Sequence, residues 1–190
     1  MLTLIFCFGM LKKVIIMKKF LVIVDIQNDF VDGALGTAEA QKIIKPAVDK
    51  IKNFDGEIFV TYDTHSKDYL NTAEGKKLPV AHCIKDTSGW RLNGEIAAAL
   101  EDKKYTEVIK YTFGSKDLPQ ILLDAASGEE FSVELIGLCT DICVVSNALY
   151  LKANFPEFDI SVDSACCAGV TPETHNAALD TMRCCQIDVK

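Results

Sequence analysis

The chain has 190 residues, 49% of them hydrophobic and 25% charged, with five prolines and eleven glycines, which excludes collagen-like, disordered and coiled-coil architectures. Twenty Lys and Arg against 27 Asp and Glu leave a formal charge of −7, a field that repels phosphate backbones and anionic lipid, so neither nucleic acid nor membrane is expected as a partner. A domain of this length buries roughly 70% of its unfolded surface and needs no disulfide staples. The eight cysteines include adjacent pairs at 166–167 and 184–185 and no CxxC, so they read as mostly buried, inert thiols in a reducing, cytoplasmic setting.

In chain order, residues 1–10 (MLTLIFCFGM) are apolar and are followed by Lys12-Lys13 and Met17-Lys18-Lys19. The run is too short to span a bilayer, and its charges follow it rather than precede it as in a signal peptide. It is read as a non-core extension over 1–16, with a weak membrane or export signal as the alternative, and the working domain over 17–190. Residues 20–24 (FLVIV) form a continuous apolar run, the pattern of a strand buried on both faces. Helical spacing over 38–52, with a bend at Pro46, leads to a second strand at 57–61. A long polar segment, 62–93, follows, and loops of that length are usually functional. A helix at 94–102, a strand at 106–109, a helix at 117–126 and a strand at 133–138 come next. The chain ends with a helix at 141–153, a strand at 158–162, a helix at 172–184 and a strand at 186–189.

Strands alternating with helices specify right-handed crossovers. The expected fold is therefore a single doubly wound, Rossmann-like α/β domain, with a mostly parallel six-stranded sheet covered by helices on both faces. Ligands of such sheets lie beyond the carboxyl ends of the strands, where strand order reverses. That rule points to Asp25, Asp63, His65, Lys110 and residues 139–143. No glycine-rich phosphate cradle follows the first strand, whose exit reads Asp25-Ile26-Gln27-Asn28-Asp29-Phe30, so a nucleotide site is not expected. Cys143 falls in the first turn of a predicted helix, where unpaired N–H groups and the helix dipole favour a thiolate and can receive an oxyanion. Taken singly, Cys143 can equally be a small packing residue, and Asp25 and Lys110 solvated strand ends. Together they supply a nucleophile, a proton carrier and an ammonium that lowers the thiol pKa and keeps the carboxylate ionised.

The segments VDIQNDF (24–30) and GLCTDICV (137–144), with Lys110 between them, resemble the isochorismatase-like cysteine hydrolases, and nicotinamidases most closely. The resemblance runs from about residue 20 to 189. It implies Asp25 as general base and acid, Lys110 as electrostatic partner and Cys143 as nucleophile. It also implies a cis Leu138–Cys139 bond, with the Cys139 and Cys143 N–H groups forming the oxyanion hole. The implied activity is hydrolysis of a small primary amide to an acid and ammonia through a thioester, with a place in NAD salvage and a homo-oligomeric assembly. Asp63-Thr64-His65 places two ligands on one side of an extended backbone. With His82 these suit a divalent metal, zinc or else manganese or iron, and nicotinamidases similarly bind a metal through D-x-H and a later His. Glu74 matches a fourth carboxylate ligand found in some of them, while His175 reads as solvated or capping. Many nicotinamidases carry a Trp shortly before the second histidine. Here that stretch is Lys77-Leu78-Pro79-Val80-Ala81, the single Trp90 lies after His82, and Phe30 is the ring-stacking candidate. Two alternatives stand beside this reading: a family member acting on a carbamoyl or maleamate-like amide, and a non-catalytic thiol or metal-binding module on the same fold.

Overall fold

The apolar run 20–24 sits at the centre of the sheet. In the computed structural model, which describes residues 17–190, the run lies within β1 (Lys18–Val24), and each of its five residues is 1% exposed or less. A strand with no solvent face has no reason to alternate polar and apolar residues, hence the continuous run. The extension read over 1–16 lies outside the described residues. After β1 come α1 (Asn28–Val31), α2 (Ala38–Lys42), α3 (Ile44–Asn53), β2 (Glu57–Asp63), α4 (Gly94–Leu100) and β3 (Tyr105–Lys110). The second half contributes α5 (Leu118–Ala126), β4 (Phe131–Leu138), α6 (Val145–Asn154), β5 (Ile160–Ala168), α7 (Pro172–Cys184) and β6 (Asp188–Val189).

The strands form one six-stranded sheet in the order β3-β2-β1-β4-β5-β6, and every strand pairing is parallel. The chain builds outward from β1 to β3, then crosses back to lay β4 on the other side of β1. Strand order therefore reverses between β1 and β4, which places the binding crevice of this doubly wound fold at their carboxyl ends. Leu21 and Ile23 pack under α2, α3 and α4 through Ala40, Ala47, Ile51 and Ile96. Phe20, Val22 and Val24 face Leu122 of α5, Leu151 of α6 and Met182 of α7 on the opposite side. Each such apolar side chain contributes about 1.5–3 kcal/mol on burial, so the strand ends that carry the site are anchored from both faces. Gly137, at φ +122°, lies so close to β1 that a Cβ there would sit 2.1 Å from the Val24 carbonyl oxygen.

Four expectations need correction. The helix expected over 38–52 is two helices broken at Ile43. Pro46 has no N–H to give the Lys42 carbonyl, so the break falls one turn before it. The strand expected over 158–162 begins at Ile160 and continues to Ala168. Asp163 and Ser164 look like a strand end in sequence, but Asp163 is paired with Lys50 of α3 at 2.7 Å, which lets a carboxylate sit inside the strand. The helix expected over 141–153 starts instead as a π-helical turn, Thr140–Val144, that leads into α6. Cys166 and Cys167 are buried as expected, but Cys184 and Cys185, at the end of α7, are exposed.

Candidate active site

Three strand ends and one turn converge in the crevice. Asp25 follows β1 with its backbone in the left-handed region, φ +48°, which turns the chain sharply at the sheet edge. Its N–H donates to Thr61 Oγ1 at 3.2 Å, and the Thr61 hydroxyl donates to Asp25 Oδ1 at 2.6 Å. Lys110, the last residue of β3, reaches Asp25 Oδ2 at 2.7 Å, Asp63 Oδ1 at 3.0 Å and Cys143 Sγ at 3.5 Å. Asp25 is fully buried, Lys110 is 2% exposed and Cys143 4%. The Asp25 Oδ2–ammonium contact is an ion pair without hydrogen-bond alignment, so this oxygen has no aligned donor. The structure thus brings together all three residues singled out at the strand ends, and Lys110 also bridges to the metal-ligand candidate Asp63.

Burial dominates the ionisation of this group. It pushes the Asp25 carboxyl up, with Asp63 adding to the effect and Lys110 and Thr61 opposing it. It drives the Cys143 thiol well above its ordinary value, although the Lys110 ammonium pulls the other way. Burial works against the Lys110 charge too, but Asp25, Cys143 and Asp63 outweigh it and hold the ammonium firmly protonated. Burial therefore opposes both a resting thiolate and the ionisation of Asp25, while the Lys110 ammonium pulls both in the expected direction. One ammonium is shared between two buried carboxylates, and its pull on the thiol is outweighed by burial first and by those carboxylates second.

The nucleophile candidate sits on the short link from β4 to α6. The Leu138–Cys139 peptide is cis, as the resemblance implies. In the π-helical turn that follows, the Cys139 carbonyl accepts from Ile142 N–H at 3.1 Å and Val144 N–H at 3.0 Å, the amides on either side of Cys143. Such wide turns occur frequently at functional sites. His175 is not simply solvated: its Nδ1 lies 2.8 Å from Thr140 Oγ1 at the start of the turn.

The second cluster lies beside the first. Asp63, His65 and His82 bring one ligand atom each within 4.8 Å of one another. Asp63 Oδ2 is 2.9 Å from His65 Nε2 and 3.7 Å from His82 Nε2. Glu74 Oε1 faces both rings, 3.7 and 3.8 Å from the same nitrogens. His82 Nδ1 lies 2.8 Å from the Val80 carbonyl; donating there leaves the Nε2 lone pair turned into the cluster, the orientation typical of a ligating histidine. His65 Nε2 is buried with no aligned hydrogen-bond partner. A buried nitrogen left without a partner, two imidazoles and two carboxylates fit a divalent cation. Burial raises Asp63, and the neighbouring His65 and the Lys110 ammonium lower it, with a net position below the usual carboxylate range.

The long segment 62–93 is held in place by residues that carry no charge pattern or ligand spacing in the sequence. Gln27, fully buried, accepts from Asp63 N–H at 2.8 Å and donates to the Asp63 carbonyl at 2.9 Å and the Trp90 carbonyl at 2.7 Å. Asn28 donates to the Ser88 carbonyl at 2.8 Å, and Asp29 accepts the Cys83 N–H at 2.7 Å. Three polar residues in a row after a buried strand were the available signal. Between the clusters lies a cavity of about 220 Å³ whose walls include Phe30, Leu35, Leu78, Phe113, Ile142 and Val170. Phe30 packs edge-on against His82, with ring centroids 5.5 Å apart. Trp90 is not among the lining residues; its indole N–H donates to Thr64 Oγ1 at 2.8 Å.

Comparison with known proteins agrees with the geometry. The isochorismatase domain family matches residues 19–189. An isochorismatase family protein of Bacillus subtilis, PncA, is 32% identical over 176 residues, covering 86% of this chain and 93% of its own. Among solved structures, a nicotinamidase/pyrazinamidase from Bacillus subtilis superposes with a TM-score of 0.79 at 26% identity, covering 91% of this chain and 99% of its own. A pyrazinamidase of Pyrococcus horikoshii in complex with zinc gives 0.77 at 24% identity, with 91% and 98% covered. N-carbamoylsarcosine amidase from Thermoplasma acidophilum gives 0.72 at 26% identity, with 92% and 96% covered.

Proposed function

The chain belongs to the isochorismatase domain family and is an amidohydrolase of non-peptide C–N bonds; within that class we propose that it is nicotinamidase-like, converting a small, uncharged primary amide to its acid and ammonia. The observation that carries this reading is Cys143, which lines the apolar cavity and is backed by the Lys110 ammonium, 3.5 Å from its Sγ and itself paired with the buried Asp25. An apolar cavity of about 150 Å³ accommodates a benzene ring, so 220 Å³ takes one six-membered ring with its amide.

With the thiol protonated at rest, attack needs a base. Asp25, its pKa raised by burial, is suited to take the proton as Cys143 Sγ bonds to the amide carbon and the carbonyl electron pair moves onto oxygen. In this reading the Cys139 and Cys143 N–H groups receive that oxyanion. Collapse restores the carbonyl and breaks the C–N bond, and Asp25 returns its proton to the departing ammonia. Water, deprotonated by Asp25, then adds to the thioester. The acid leaves, and the Cys143 sulfur regains a proton. Lys110 holds its charge throughout and keeps the two carboxylates from destabilising each other.

Asp63, His65 and His82, with Glu74 as the fourth group, would hold a divalent metal, zinc in this reading with manganese and iron as alternatives, supported by the zinc complex of the Pyrococcus relative. When bound, such an ion supplies a Lewis-acid anchor for a ring nitrogen or water. Phe30 packs against the substrate ring. The reading includes a homo-oligomer in the cytoplasm; no described helix is long and apolar enough to cross a membrane.

The likeness to N-carbamoylsarcosine amidase keeps a second substrate class in view. Carbamoyl amino acids and maleamate carry a carboxylate, which needs a cationic partner on burial. No Lys or Arg lines the cavity among the described residues, and Lys110, which lies behind Cys143, is already paired twice. Ammonia release from nicotinamide, pyrazinamide, maleamate and N-carbamoylsarcosine, measured beside metal analysis of the same preparation, tests the choice. Turnover of the neutral amides alone is expected. Preference for the anionic pair would overturn the substrate reading, and no release from any of the four would favour a non-catalytic role.

A further inference from the structure

Asn147, on α6 one turn after Cys143, is fully buried and spends its amide on two separate walls of the cavity. Its Nδ2 donates to the Cys143 carbonyl at 2.8 Å and approaches the Phe113 carbonyl at 3.3 Å. Its Oδ1 accepts the Ser115 N–H at 2.9 Å. The first bond belongs to the turn that carries the thiol. The other two hold the loop between β3 and α5, which starts directly after Lys110 and contributes Phe113 to the cavity. The π-helical turn displaces carbonyls from the regular ladder, and side chains at i+4 take them up: Ser146 bonds the Ile142 carbonyl as Asn147 bonds that of Cys143. Only Asn147 reaches across to a second element as well.

We propose that Asn147 is a positioning residue that locks the Cys143 turn to the Phe113 loop, so that the thiol, the Lys110 ammonium and the ring-packing wall keep one mutual geometry. The inference rests on the reading of Cys143 as nucleophile. It assigns the two halves of the amide different consequences. The bond to Cys143 fixes the attacking sulfur and governs kcat, because small misplacements of reacting groups cost large factors in rate. The bonds to the loop fix the wall against which substrate packs and govern KM.

Two substitutions separate these roles. In Asn147→Thr the hydroxyl can still bond the i−4 carbonyl, as Ser146 does next to it, but is too short to reach Ser115. In Asn147→Leu the volume is kept and every bond is lost. Both are made in the full chain and assayed for amide hydrolysis and for hydrogen exchange at the Ser115 amide. Exchange at Ser115 is expected to quicken by about tenfold in both, the equivalent of one lost hydrogen bond. Asn147→Thr should keep kcat within about twofold and raise KM severalfold, whereas Asn147→Leu should lower kcat by about tenfold or more. Unchanged Ser115 exchange, a folded Asn147→Leu with wild-type kcat and KM, or equal kcat losses in the two variants would each overturn the proposal. If Asn147→Leu does not fold, Asn147→Thr decides alone, since unchanged KM there contradicts the assignment. Exchange is read without turnover, so a wild-type protein inactive on every amide would sink the nucleophile reading while the clamp is still judged by Ser115.

Discussion

Replacing Lys110 by Met distinguishes a catalytic ion cluster from an ordinary strand end. An exposed strand-end substitution stays within about 0.5 kcal/mol. Lys110 is instead 2% exposed, with its Nζ 2.7 Å from Asp25 and 3.0 Å from Asp63. Its loss strips the shared partner from two buried carboxylates. Breaking a buried pair by removing one member costs about 3–5 kcal/mol; at roughly 2–4 °C per kcal/mol for a domain of this size, Tm should fall by roughly 6–20 °C. The gap should depend on pH. Without the ammonium both acids move up in the folded state, Asp25 further from its already raised position and Asp63 from its lowered one. A folded-state carboxyl pKa above the unfolded value, near 3.8, means that the folded protein binds protons the unfolded chain has released. Its stability therefore falls as pH rises through that window. The difference between the variant and the parent should be smallest near pH 4 and widen toward neutrality. Thermal melts followed by circular dichroism at stepped pH read this. Alkylation of Cys143 against pH, with the other thiols controlled by Cys143→Ala, should shift further upward because the one influence lowering the thiol pKa is gone. Equal Tm values across the pH range with superimposable alkylation curves would refute the cluster.

Cys143→Ala should lose several orders of magnitude in kcat while its urea midpoint stays close to the parent's, and single substitutions at Cys166, Cys167, Cys184 or Cys185 should leave kcat intact. His65→Ala and His82→Ala should each lose bound metal by elemental analysis and respond no further to chelator, whereas chelation of the parent should remove about 2.7 kcal/mol if the ion is present at a hundredfold its Kd. Stoichiometric metal in both variants would dismiss the ligand set. Gly137→Ala should cost more than about 3 kcal/mol in a urea melt, because its φ and the nearby Val24 carbonyl leave no room for a Cβ.

What the sequence made legible are the residues whose chemistry contradicts their position. Asp25 ends an apolar strand, Lys110 ends β3, and Asp63-Thr64-His65 leaves the sheet at the same edge, so the doubly wound topology alone brings them together. The boundaries were less legible wherever a distant partner decides them. Asp163 continues β5 because Lys50 on another element neutralises it, and nothing near residue 163 announces that. Protonation was misread for a related reason. Proximity of Lys110 to the thiol follows from the order of elements, but the depth of burial that outweighs it does not. Gln27 and Asn147 were passed over because an amide carries no charge pattern; their importance lies in bonds to backbone groups far along the chain.

In the proposed reaction Cys143 becomes acylated on the way to products. Its most direct test is acid quenching of the protein during turnover of nicotinamide, followed by mass analysis of the Cys143 peptide. A pyridine-carbonyl adduct is expected on that peptide, labile to hydroxylamine and absent from Cys143→Ala. Ammonia release at the parent's full rate with Cys143 never carrying the acyl group would contradict it.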